Sequence, residues 1–172
     1  MTAEVREISK KYKDKTVLDK VSFEARSGEL VGIIGANGCG KSTLLSVLAG
    51  IAERGGGDFL IDSVSLFSKG GARLRSTVGY VPQGDPLLEE LSAKDNLRMW
   101  YSEKEIKSAA VPGGVLSMLG IDAFMNKRVS RMSGGMKRRL TIACAVAGAP
   151  KVLLLDEPTA SLDAECRSSI YA

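Results

Sequence analysis

The chain has 172 residues, 44% of them apolar and 5% aromatic, with a mean hydropathy of +0.02, an ordinary composition for a globular domain able to bury its own core. Its 24 basic and 20 acidic residues leave a net charge of +4, a mild excess that favours an anionic ligand or a membrane surface only weakly and is accounted for by ordinary solubility. There is no histidine, which removes that residue as base, proton shuttle or metal ligand, and no Cys/Asp/Glu cluster has structural-zinc spacing.

The elements follow in chain order. Apolar residues alternate in 3–8 and 17–25 (Val5, Ile8; Val17, Val21, Phe23), which predicts an antiparallel strand pair, and Ser27-Gly28 is a turn. The apolar run 30–34 predicts a buried strand. It feeds residues 35–42, Gly-Ala-Asn-Gly-Cys-Gly-Lys-Ser, the pattern G-x-x-x-x-G-K-[ST] of a phosphate-cradling P-loop. Leu44, Leu45, Val47, Leu48 and Ile51 then recur at helical spacing, so residues 41–50 read as a helix ending at Gly50. Strand, glycine-rich loop and helix is the context in which that motif holds a phosphate.

Gly55-Gly56-Gly57 is a turn, with strands predicted after it around Phe59 and Ile61 and again over 76–82. From about 85 to 132 the pattern becomes helical and polar, broken at Pro112-Gly113-Gly114 and Gly120. Residues 134–148 read as one helix, with Met136, Leu140, Ala143 and Ala147 on one face and Lys137, Arg138 and Arg139 on the other. Residues 151–155 predict a buried strand ending at Asp156, and the chain from Asp163 reads as helical. Lys127, Arg128, Arg131 and the trio 137–139 lack interleaved aromatics, so they read as a solvated face or one near anionic phosphates, with no nucleic-acid partner expected.

The candidate chemistry follows from these placements. Backbone N–H groups of residues 36–41 can wrap phosphates, Lys41 can reach the β- and γ-phosphates, and Ser42 can ligate Mg²⁺. Asp156, at the C-terminal end of a buried strand, is placed to hold Mg²⁺, and Glu157 beside it is the candidate general base for an attacking water. Ser133 is an N-cap residue, and Gly134 and Gly135 allow backbone to approach a phosphate. Cys39 is a small filler of the loop or, alternatively, a thiol whose modification would block the phosphate site.

Three motifs in order, the P-loop, Met132-Ser133-Gly134-Gly135 and 152–159 (Val-Leu-Leu-Leu-Asp-Glu-Pro-Thr), resemble the ATP-binding cassette (ABC) ATPases. The resemblance implies an α/β P-loop NTPase with a mostly parallel core sheet, an antiparallel N-terminal β portion and a helical insertion. It implies one cassette domain over 1–172, with 1–84 and 133–172 as ATP-binding core and 85–132 as helical subdomain. ATP and Mg²⁺ are the implied ligands. The ATP-binding set is Tyr12 (stacking on adenine), Gly35, Ala36, Asn37, Gly38, Cys39, Gly40, Lys41, Ser42 and Thr43. Gln83, in Val81-Pro82-Gln83, matches the family's Q-loop, which touches Mg²⁺ and water. Ser133, Gly134 and Gly135 match the signature that contacts the γ-phosphate held by an opposing cassette, with Met132 and Met136 departing from its commonest form. Asp163, in Ser161-Leu162-Asp163, matches the D-loop. Glu157, Lys41 and Gln83 are the implied catalytic residues and Ser42, Gln83 and Asp156 the metal set.

The implied partners are a second cassette and a transmembrane permease docked near Gln83 and the 87–100 stretch. That places the chain in the cytoplasm, on the inner face of the membrane. An unpaired set of cysteines (Cys39, Cys144, Cys166) and a charged N-terminus agree with that compartment. The Ser-Gly-Gly-Met signature is similar to those of export-type cassettes. The alternatives are a soluble ABC-type ATPase and a nucleotide-binding module without turnover. In the family a further strand and a switch histidine follow the D-loop. The chain is accordingly expected to be a fragment of a longer product, a disrupted cassette, or one completed by another chain. The strand at 151–155 is expected not to pair with the one at 30–34.

Overall fold

A computed structural model describes residues 1–157. Asp163 and the predicted C-terminal helix lie outside the described residues. The chain divides into two compact units, Met1–Tyr80 and a second from Val81 onward.

In the first unit, β1 (Thr2–Tyr12) pairs antiparallel with β2 (Lys15–Arg26) on one side and with β3 (Gly56–Ile61) on the other, and β4 (Val64–Ser65) completes the order β2-β1-β3-β4. The predicted alternation is realised: Val5 lies opposite Phe23 and Phe59, Ile8 opposite Val21, and Val5, Ile8 and Phe59 are buried. The β1–β2 ladder shifts register between Val5 and Ile8. There Glu7 takes a left-handed φ of 48°, and its N–H donates to Ser22 Oγ at 2.8 Å. Irregular backbone is thus satisfied by a side-chain hydroxyl, as a bulge requires. α1 (Lys41–Leu48) buries Leu44, Leu45, Val47 and Leu48, whereas Ile51, counted in the predicted periodicity, lies past its end and is exposed; α2 (Ala72–Arg75) is a single further turn.

The second unit is built on helices. α3 (Ala93–Leu97), α4 (Glu103–Ala109), α5 (Val115–Met118) and α6 (Gly134–Ala145) contribute to one core holding Leu97, Tyr101, Ile106, Leu116, Ile121 and Leu140. Two of the short helices begin at serine caps. Ser92 accepts from the Asp95 N–H, and Ser102 and Glu105 form a reciprocal capping box on α4. Asn96 is fully buried and saturated: its Nδ2 donates to the carbonyls of Leu88 and Ser92, and its Oδ1 accepts from the Leu88 N–H. β5 (Val78–Val81), of which only Val81 falls in this unit, is ordered beside β6 (Val152–Leu155) in a two-stranded parallel sheet. At its end the Asp156 N–H donates to the Val81 carbonyl at 2.9 Å.

Two expectations are corrected. Residues 30–34 belong to no strand, and Leu30 and Ile34 are 82% and 97% exposed. An apolar run of this kind needs strands on both sides, and among the described residues none pairs with it. β6 is hydrogen-bonded to β5. The second correction concerns Arg138, predicted on the solvated face of α6 but only 2% exposed.

Candidate functional site

In the first unit, residues 35–40 run from a turn, closed by the Cys39 N–H donating to the Ala36 carbonyl at 3.3 Å, into the first turn of α1. Gly38 and Gly40 hold φ of 78° and 105°, a left-handed region open to glycine. Gly40 is the N-cap and has no side chain with which to cap, so the amides of Lys41, Ser42 and Thr43 have no partner within the helix. A Cβ on Gly40 would lie 2.9 Å from the Val17 carbonyl oxygen, so β2 seats the loop from below. Lys41 folds its ammonium back over the loop, donating to the carbonyls of Gly35 at 2.8 Å and Ala36 at 3.0 Å.

Uncapped N–H groups, the positive end of a helix dipole and an ammonium converge here with no carboxylate in the loop. That donor set fits a polyphosphate. Ser42 is exposed, in keeping with a hydroxyl available to a metal. Tyr12 ends β1 half-exposed, with the Lys10 ammonium 5.0 Å from its ring centroid. One face is thereby engaged by a cation.

In the second unit the predicted carboxylates sit at the end of β6. Asp156 is buried, and Glu157 holds a φ of 47°, a costly conformation for a residue with a side chain. Gln83 Nε2 donates to Glu157 Oε2 at 2.9 Å. The structure therefore brings Gln83 to the end of β6, to the adjacent carboxylates Asp156 and Glu157 that lie 73 and 74 positions further along the chain. Ser133 caps α6, its Oγ accepting from the Met136 N–H at 3.3 Å, with Gly134 and Gly135 in the first turn.

Arg138, which nothing in the basic trio 137–139 singles out, belongs to this site. From α6 its guanidinium donates to the carbonyls of Pro82, Asp156 (2.9 Å) and Glu157 (3.3 Å), and lies 3.6 Å from the Asp85 carboxylate. Thr141, also buried, donates its hydroxyl to Asp85 at 2.9 Å. The available signal was periodicity. Arg138, Thr141 and Ile142 are three and four residues apart, one face of a helix, and all three are buried. Its neighbours are not simply solvated either. Lys137 pairs with Glu89 at 2.6 Å, and Arg139 packs its guanidinium 5.3 Å from the Phe124 ring centroid.

A glycine-rich loop feeding a helix, with paired carboxylates ending a separate strand, defines a P-loop nucleotide-binding protein of the α/β class. The model of the ABC transporter family matches residues 18–160, and the chain belongs to that family. It is 39% identical over 175 residues to the Nod factor export ATP-binding protein I of Neorhizobium galegae, covering 99% of this chain and 50% of that one. Among solved structures, an ATP-binding subunit of an ABC transporter superposes with a TM-score of 0.85 at 30% identity, covering 99% of this chain and 72% of the other. A dimeric ATP-binding cassette in a post-hydrolysis state, bound to ADP and Pi, superposes with a TM-score of 0.82 at 28% identity, covering 98% of this chain and 79% of that one. The chain spans about half the length of the curated relatives it matches. No helix among the described residues is long and apolar enough to cross a membrane.

Proposed function

We propose that this chain is the ATP-binding and ATP-hydrolysing subunit of an ABC transporter, energising a transmembrane partner in export. The observation that carries the reading is the uncapped first turn of α1 behind Gly38 and Gly40, with Lys41 folded over it. Backbone N–H groups of the loop bind the phosphates, Lys41 neutralises the β- and γ-phosphates, and Tyr12 offers its free face to adenine. Ser42, Asp156 and Gln83 are the residues to hold Mg²⁺. Bound there, the ion supplies charge neutralisation on the phosphate oxygens. Glu157 orients the attacking water and takes its proton.

Ser133, Gly134 and Gly135 serve the nucleotide of a second cassette, and Asp163 the contact between the two. The dimeric cassette bound to ADP and Pi supports that arrangement, and the similarity to Nod factor export proteins supports the direction. The apolar cluster runs from Ala93 to Met132 and is closed by Leu140 and Ala143 of α6, in keeping with a helical subdomain over 85–132. Exposed Leu88, Met99 and Trp100 on that stretch suit a permease contact, which would hold the chain at the inner face of the membrane.

The test is Glu157→Gln. Steady-state phosphate release falls at least about 100-fold, the span of a general base, while ATP affinity holds. Wild-type binding without any turnover would instead make the chain a nucleotide-binding module.

A further inference from the structure

We infer that Arg138 is a positioning residue for the hydrolytic side chains, clamping from α6 the backbone that carries Gln83 and Glu157. The inference rests on the hydrolytic reading above. Pro82 immediately precedes Gln83, and the Arg138 guanidinium holds the Pro82 carbonyl through one nitrogen and the carbonyls of Asp156 and Glu157 through the other. Two segments far apart in sequence are thus locked to one planar fork. Between them the Gln83 amide reaches the Glu157 carboxylate at 2.9 Å.

The fork is itself fixed. It is buried, and Asp85, held by Thr141, lies 3.6 Å from it. Glu157 carries a left-handed φ of 47°, a conformation that persists only where its surroundings over-determine it. Arg138 supplies that constraint by binding the carbonyls on both sides of the strained N–Cα bond's residue. α6 is also the helix whose first turn holds Ser133, Gly134 and Gly135. A shift of that helix is therefore transmitted to the Gln83–Glu157 pair through one side chain. Lysine cannot substitute, because its compact ammonium lacks the planar fork that spans both segments.

The experiment follows the Gln83 side-chain amide by ¹H–¹⁵N NMR in the full chain, assigned by its loss in Gln83→Ala. In the wild type it is displaced from the position of a free glutamine, and Glu157→Ala returns it there. Arg138→Lys is expected to return it to the same place while ATP affinity stays within about threefold, a difference well under one order of magnitude in binding. A Gln83 resonance that stays displaced in folded Arg138→Lys, or is never displaced in the wild type, overturns the inference. If Arg138→Lys does not fold, Asp85→Asn loosens the same guanidinium and is expected to move the resonance in the same direction. This arm needs no turnover, so a chain that fails to hydrolyse ATP contradicts the functional reading alone. Where the chain turns over, Arg138→Lys lowers kcat about tenfold at unchanged KM and adds nothing in a Gln83→Ala background. Additive losses would mark a merely structural arginine.

Discussion

Three glycines share a left-handed backbone and differ in what surrounds them, which makes alanine substitution a graded probe of the loop. Gly28, Gly38 and Gly40 hold φ of 84°, 78° and 105°. A Cβ at Gly28 or Gly38 meets nothing within 4 Å, whereas at Gly40 it meets the Val17 carbonyl oxygen at 2.9 Å and Leu18 Cδ2 and Val17 Cγ1 at 3.1 Å each. Alanine in the left-handed region costs ~1–2 kcal/mol, and forcing a methyl into packed surroundings adds ~1–3 kcal/mol. Gly28→Ala should lower stability by the first amount alone and leave ATP affinity unchanged, since the turn lies outside the phosphate loop. Gly38→Ala can shed its strain by moving the loop, weakening ATP by up to about 30-fold at 1.4 kcal/mol per decade. Gly40→Ala incurs both costs, ~2–5 kcal/mol, which corresponds to ATP binding at least about 30-fold weaker. Calorimetric ATP titration beside thermal unfolding separates the three. A folded Gly40→Ala protein that binds ATP within threefold of wild type would refute the reasoning, as would a Gly28→Ala protein that loses affinity to the same degree.

Two further outcomes follow from the helical unit. Asn96→Leu removes the partners of the Leu88 N–H and of the carbonyls of Leu88 and Ser92 in a fully buried place. It should lower unfolding free energy by ~2–4 kcal/mol, and a denaturant midpoint unchanged from wild type would contradict that. Burial pushes the Tyr101 hydroxyl up from its usual 10.0 and the Cys144 thiol up from its usual 9.0, each to about 12. The unfolded chain therefore releases these protons first as pH rises. Their stabilising effect is complete below pH 9 and declines between pH 9 and 12. Tyr101→Phe should lose the hydrogen bond to the Ala143 carbonyl at neutral pH yet show a shallower alkaline decline. Denaturant unfolding at successive pH values measures both effects, and an equally steep decline in the variant would count against the assignment.

The P-loop was legible in the sequence because its chemistry is local. A left-handed backbone at Gly38 and Gly40, an uncapped helix and the reach of Lys41 back to Gly35 all arise within eight residues. The β1–β2 pair and the Ser133 cap of α6 were legible for the same reason. Arg138 was not, because its burial depends on carbonyls 56, 18 and 19 positions away in the chain. A charged residue inside a basic trio reads as surface until those acceptors are brought to it. Residues 30–34 erred in the opposite direction. Their apolar run describes a strand only in the presence of neighbours, and the described residues supply none.

Binding at the loop of residues 35–42 is the central claim, and an equilibrium titration with Mg-ATP of the wild type against Lys41→Ala tests it most directly. Wild-type protein should bind one nucleotide per chain, and removal of the ammonium that lies over Gly35 and Ala36 should weaken binding by at least about tenfold, the scale of one charge-assisted contact. Equal affinity in the two proteins, or no saturable binding to the wild type, would contradict the account.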